Sequence, residues 1–110
     1  MEIKTRNVGD ITIIDIQGRL DTTTAGDVAT EINQVVDAGN ARLIVNLQDL
    51  EFISTAGLRV LLRISDLAKQ QGGAVHACHI TGIVKEVIEI AGFNKILTIH
   101  ETEAEALAAF

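Results

Sequence analysis

The chain has 110 residues, a formal net charge of −6, and 47% hydrophobic and 22% charged residues. That length suits one domain with its own core, and the composition is typical of a folded globular protein. The acidic balance disfavours a nucleic-acid partner, since binding to phosphates relies on a basic surface. No apolar stretch approaches the roughly 20 residues of a membrane span, so no membrane insertion is expected, and no signal peptide is expected either.

Strand and helix patterns alternate along the first half of the chain. A strand is predicted over residues 1–8 and a second over residues 11–17, where one face is strongly apolar. A helix follows, opened by the polar residues 21–24 and ended by Gly39. Residues 42–46 then form an apolar run that is typical of a buried strand.

The second half continues the alternation. A helix is predicted over residues 54–71, and we expect it to be largely buried because its polar side chains form only a narrow stripe of Arg59, Arg63, Asp66 and Gln70. The remaining predicted elements are a strand over 74–80, a helix around 84–91, an edge strand over 96–99 and a helix over 103–110, which begins with a capping box of Thr102 and Glu105. This order predicts a sheet with parallel pairs, covered by helices.

The only cysteine, Cys78, rules out an intramolecular disulfide and indicates a reducing compartment, the cytoplasm. Its neighbours His76 and His79 suggest a metal site by residue type alone. In a strand, however, His76 and Cys78 share one face while His79 points to the other, so the three side chains cannot converge locally. We therefore predict a buried cysteine, with no metal and no other cofactor.

The most informative stretch runs from Ser54 to Leu58, where a loop becomes the second predicted helix. Helix starts expose unpaired N–H groups and a partial positive charge, so a hydroxyl there can cap the helix or carry a phosphate. Residue chemistry alone favours Ser54 as the helix cap, with Thr55 filling the first turn. No catalytic base is associated with these hydroxyls and no phosphate loop is present, so we expect no catalytic residues and no enzymatic activity.

This stretch resembles the signature of STAS-domain proteins, the anti-sigma factor antagonists, whose usual form is Asp-Ser-Ser-Gly-Leu. Ser54 takes the Asp position, Thr55 takes the phosphorylated position, and Gly57 and Leu58 match. Further similarity extends over nearly the whole chain, at residues 16–25, 43–47, 71–73 and 90–93. The resemblance implies an α/β fold in which residues 1–110 form a single STAS domain, with a mixed sheet of four or five strands and about four helices.

The resemblance also implies a regulatory role. In this family the residue after the Asp is phosphorylated by a partner anti-sigma factor kinase, which implies phosphorylation of Thr55, with Ser54 as the runner-up. The implied partner-binding surface consists of Asp21, Thr22, Ser54, Thr55, Gly57, Leu58 and Arg59. The unphosphorylated protein would bind an anti-sigma factor protein kinase and so release a sigma factor for transcription, and a phosphatase would be a further partner. The alternative is an accessory subunit of a membrane transporter of the lipid-transport ABC type.

Two residues of that surface also have purely structural interpretations. Asp21 suits the N-cap of the first helix, a role that is compatible with partner binding. Arg59 lies one turn after Thr55, where a cation opposes the helix dipole unless an anion is nearby. Arg59 is therefore either a solvated surface charge or the partner of a phosphate on Thr55. Since Ala56 replaces the family's second hydroxyl, Thr55 is the only hydroxyl at the acceptor position.

Overall fold

An N-terminal hairpin precedes a regular alternation of strands and helices. A computed structural model describes all residues from Met1 to Phe110. The elements are β1 (Glu2–Val8), β2 (Ile11–Leu20), α1 (Ala25–Asp37), β3 (Arg42–Asn46), β4 (Leu50–Ile53), α2 (Thr55–Gln70), β5 (Ala74–Cys78), α3 (Gly82–Ile90), β6 (Thr98–His100) and α4 (Glu103–Ala108). A short 3₁₀ turn, Phe93–Lys95, separates α3 from β6. No helix is both long enough and apolar enough to span a membrane.

The six strands form one mixed sheet in the order β1-β2-β3-β5-β6, with β4 paired to β2 beside this path. Only the β1–β2 pair is antiparallel. The first part of β2 pairs with β3, and its last residues, from Gly18 to Leu20, pair with β4. The carboxyl ends of β2 and β4 therefore lie side by side, and the chain leaves each of them toward a helix.

The two faces of the sheet carry separate cores. A large cluster joins one face to α1, α2 and α3, and its fully buried members include Ile14, Leu43 and Leu61. A smaller cluster on the opposite face packs beneath α4 and consists of Ile11, Ile13, Ile44, Cys78 and Ala106. Burial raises the pKa of the Cys78 thiol to about 11, so this cysteine is a packed apolar group rather than a reactive thiolate.

The predicted mixed α/β fold with four helices is confirmed, and the sheet has six strands where four or five were expected. The additional strand is β4, which at four residues is too short to show a clear alternation. The predicted edge strand β6 does end the sheet, but it begins later, at Thr98. The expectation that α2 is largely buried was wrong: Leu62 and Leu67 are only half-buried, because α2 packs on the sheet and α1 through one face.

Candidate functional site

The start of α2 is attached directly to the end of β2. The backbone N–H of Ser54 donates to the carbonyl of Leu20 at 2.9 Å, and Leu20 is also the β-partner of Ile53. Asp21 follows Leu20 just as Ser54 follows Ile53. The sheet register therefore brings Asp21 and the start of α2 together, although they are far apart in the sequence.

Ser54 caps α2, as residue chemistry predicts. Its backbone is extended, its hydroxyl oxygen accepts from the N–H of Gly57 at 3.3 Å, and its carbonyl accepts from the N–H of Leu58 at 3.0 Å. Thr55 is the first residue of the helix, is exposed, and makes no side-chain hydrogen bond within the protein. The two hydroxyls thus differ: that of Ser54 is engaged in the cap, and that of Thr55 is free.

Gly57 allows the helix start to lie against the sheet. A Cβ atom at this position would meet Leu20 Cγ at 2.7 Å, the Leu20 carbonyl oxygen at 2.8 Å and Ile53 Cγ1 at 2.9 Å. Leu58, the next residue, is 3% exposed and belongs to the core. Gly57 and Leu58 were both assigned to the partner-binding surface, but both are buried, so they support that surface from beneath and do not form it.

Asp21 is held in one orientation by its own turn. Its Oδ1 accepts from the Thr23 N–H at 3.0 Å and from the Thr23 hydroxyl at 2.7 Å, and these bonds hold its pKa below the usual value. Thr24 is the N-cap of α1, and its hydroxyl donates to the Arg19 carbonyl at 2.8 Å. Asp21 therefore caps the turn before α1 and not α1 itself, and it presents an ionised carboxylate. Thr22, in the same turn, is exposed.

Arg19 and Phe52 complete the site, and the sequence analysis did not include them. The two residues face each other across β2 and β4, and the Arg19 guanidinium carbon lies 4.5 Å from the centre of the Phe52 ring. Arg19 Nε also lies 3.8 Å from Asp21 Oδ2. This pairing depends on the register of β4, the strand that the sequence did not reveal, so the sequence contains no local signal for it.

The histidines lie away from this site. His76 Nδ1 is 2.8 Å from His100 Nε2, and the Phe110 ring packs on His76 with the ring centres 4.5 Å apart. His79, whose backbone is left-handed at φ 55°, accepts the Glu103 N–H at Nε2 over 3.3 Å. His76 and His79 thus have different partners, both beneath α4, and no group of three or more metal-ligating side chains is present.

The family model described as the STAS domain matches residues 2–106. The chain belongs to the STAS-domain family. BtrV of Bordetella bronchiseptica, a protein assigned as an anti-sigma factor antagonist, is 32% identical over 110 residues, covering 100% of this chain and 95% of its own. The resemblance found in the signature stretch is thereby confirmed for nearly the whole length of the chain.

Solved structures share the fold. A crystal structure from Thermotoga maritima, also assigned as an anti-sigma factor antagonist, superposes with a TM-score of 0.91 at 20% identity, covering 97% of this chain and 92% of that one. The Bacillus cell fate determinant SpoIIAA, solved in its phosphorylated form, superposes with a TM-score of 0.73 at 18% identity, covering 98% of each chain. At such identities these neighbours establish the STAS fold alone.

Proposed function

We propose that residues 1–110 act as a single STAS domain and an anti-sigma factor antagonist whose binding is controlled by phosphorylation of Thr55. The observation that carries this proposal is the exposed, unbonded Thr55 hydroxyl in the first turn of α2, next to the ionised Asp21. Ser54 is the weaker candidate, because its hydroxyl oxygen already accepts the cap hydrogen bond from Gly57. The names of the relatives support the role of antagonist, and one fold neighbour, SpoIIAA, was solved as a phosphoprotein.

The unphosphorylated protein binds an anti-sigma factor protein kinase in this proposal, and the kinase then releases its sigma factor. The contact surface consists of the exposed or half-exposed residues Asp21, Thr22, Ser54, Thr55 and Arg59. The kinase supplies the catalysis, and a phosphatase resets the switch. Such a partnership would place the protein in the cytoplasm, with the transcription machinery.

Phosphorylation changes charge at a point where the fold tolerates it. A phosphate adds about −1.5 to −2 charge, and a negative group in the first turn of a helix interacts favourably with the helix dipole. The free protein therefore keeps its structure. The docked partner, in contrast, meets new negative charge within a desolvated contact, which opposes binding by repulsion and by the cost of burying the phosphate.

The direct test is to incubate the protein with a purified anti-sigma factor kinase and ATP, and to map the product by mass spectrometry. We expect one phosphate, located on Thr55, and no incorporation into Thr55→Ala. Thr22→Ala is the matched control, since Thr22 is also an exposed threonine at this site, and it should be phosphorylated like the wild type. Phosphate on Ser54, on the buried Ser65 or elsewhere would refute the assignment of Thr55.

A further inference from the structure

Two arginines on the outer face of α2 lack the carboxylate partners that the other arginines have. Arg6 pairs with Asp15 and Glu103, Arg19 with Asp21, and Arg42 with Asp10. Arg59 and Arg63 are both exposed, and neither forms an ion pair or a side-chain hydrogen bond. On a protein of net charge −6, two unpaired cations one turn apart form a local positive patch.

The placement of these arginines is unfavourable for the isolated protein. Like charges four residues apart repel each other on a helix surface, and Arg59 lies near the N-terminus, where a cation opposes the dipole. The first turn of α2 contains no acidic residue to compensate, whereas the first turns of α1 and α4 contain Asp27 and Glu103, respectively. The free protein thus gains no stability from Arg59 and Arg63, which is the pattern of a surface used for binding.

The arginines border an open groove with an apolar floor. The groove has a volume of about 350 Å³ and is lined by Arg59, Val60, Leu62, Arg63 and Asp66. Val60 and Leu62 are only half-buried, so apolar area remains exposed between the two guanidinium groups. Apolar area flanked by charge is the usual composition of a protein–protein contact.

We propose that this face of α2 docks an acidic surface of the partner kinase, on which two carboxylates spaced by about one helical turn flank an apolar side chain. The proposal rests on the proposed function and extends its contact surface from Thr55 along α2 to Arg63. The carboxylates pair with Arg59 and Arg63, and the apolar side chain covers Val60 and Leu62. Because the rest of the chain is acidic, this positive patch also sets the orientation in which an acidic partner approaches.

The same geometry connects docking to the phosphorylation switch. Arg59 lies four residues after Thr55, about 6 Å along the helix axis, and Arg63 lies eight residues after it, about 12 Å along the axis. A phosphate on Thr55 therefore binds Arg59 within the chain and withdraws it from the partner, while Arg63 remains out of reach. Phosphorylation thus removes one docking cation in addition to introducing negative charge.

The test measures the dissociation constant for the kinase that phosphorylates Thr55. Arg59→Gln and Arg63→Gln should each weaken binding about tenfold, and the affinity of the wild type should fall as salt rises. Lys85→Gln on α3, an exposed cation away from the groove, is the matched control and should stay within about twofold of the wild type. All three substituted residues are exposed, so the variants should fold, and circular dichroism checks that they do.

The outcomes separate this inference from the proposed function. Wild-type affinity in both arginine variants, with Thr55 still phosphorylated, would overturn the docking surface and leave the proposed function in place. A kinase that neither binds nor phosphorylates the wild-type protein would overturn both. In a Thr55→Glu background, Arg63→Gln should still weaken binding whereas Arg59→Gln should have no further effect. Equal effects of the two would show that the charge at residue 55 does not engage Arg59.

Discussion

The N-termini of α2 and α4 have the same backbone cap but opposite electrostatics. The hydroxyl of Ser54 accepts from Gly57, and that of Thr102 accepts from Glu105 at 3.1 Å, each three residues into its helix. The first turn of α4 carries two glutamates, which suit the positive end of a helix dipole. The first turn of α2 carries no acid, and the nearest charge is the unpaired Arg59.

The start of α4 is fully satisfied within the chain. Arg6 pairs with both Asp15 and Glu103, Asn46 Nδ2 donates to Glu103 at 3.2 Å, and His79 accepts the Glu103 N–H. The ion pair with Arg6 holds the pKa of Glu103 below its usual value. The difference between the two helix starts shows that a cap alone does not indicate a functional site. The start of α4 is occupied by its own side chains and has a structural role, and the start of α2 leaves a hydroxyl and a cation available.

Breaking the packing at the start of α2 should have the largest effect. Gly57→Ala places a methyl group within 3 Å of Leu20 and Ile53, so it should destabilise the protein by about 1–3 kcal/mol in urea unfolding. Gly26→Ala is the control, because a Cβ atom there, near the start of α1, meets no atom within 4 Å, and it should stabilise by about 0.4–1 kcal/mol. A loss of less than about 0.5 kcal/mol for Gly57→Ala would show that α2 is not held against β2 as described.

The second prediction compares the charges at the two helix starts. Glu103→Gln removes the partner of Arg6, and we expect a loss of about 1–2 kcal/mol, since Glu103 is only 25% exposed and its bonds are charge-assisted. Arg59→Gln should change the free energy of unfolding by less than about 0.5 kcal/mol, or stabilise slightly, because Arg59 has no partner. If the two substitutions had equal effects, the distinction between a satisfied and an unsatisfied helix start would be wrong.

Acidification should also distinguish the two regions. Burial and the neighbouring His100 lower the pKa of His76 below its ordinary 6.5 in the folded protein. Since the unfolded chain then binds the proton more readily, the stability that neutral His76 contributes is complete above about pH 6.5 and is lost as the pH falls through the folded pKa. Stability should therefore decrease from about pH 7.5 to about pH 5.5, and His76→Gln should reduce this decrease.

The control for the pH measurement lies at the other site. The pKa of Asp21 is lowered from 3.8, so Asp21 stays ionised throughout that range. Asp21→Asn should leave the pH dependence between about pH 5.5 and 7.5 unchanged. A pH profile that depends on Asp21 and not on His76 would assign the proton-sensitive group to the wrong end of the molecule.

The smallest expected effect concerns Arg59 in the two phosphorylation states. An exposed bond between phosphothreonine and Arg59 should contribute about 0.3–1 kcal/mol, or a few degrees in Tm. Arg59→Ala should lower the Tm of the phosphorylated protein and leave that of the unmodified protein equal or slightly higher. Equal shifts in both states would show that Arg59 does not sense the phosphate.

The sequence predicted those features whose signals are local. The cap at Ser54, the capping box at Thr102 and the order of helices and strands each follow from residues close together in the chain. The pairing of Arg19 with Phe52 and the network of Arg6 with Glu103 join segments that only the sheet register brings together. The burial of Leu58 also escaped prediction, because a family signature shows which residues recur and not which of them reach the surface.

The central claim is that a phosphate on Thr55 switches partner binding, and one affinity measurement tests it most directly. Phosphothreonine would be incorporated at position 55 during synthesis, and the dissociation constant for the anti-sigma factor kinase compared with that of the unmodified protein. We predict that the unmodified protein binds and that the phosphorylated protein binds at least about tenfold more weakly while remaining folded. Equal affinities of the two folded forms would contradict the account.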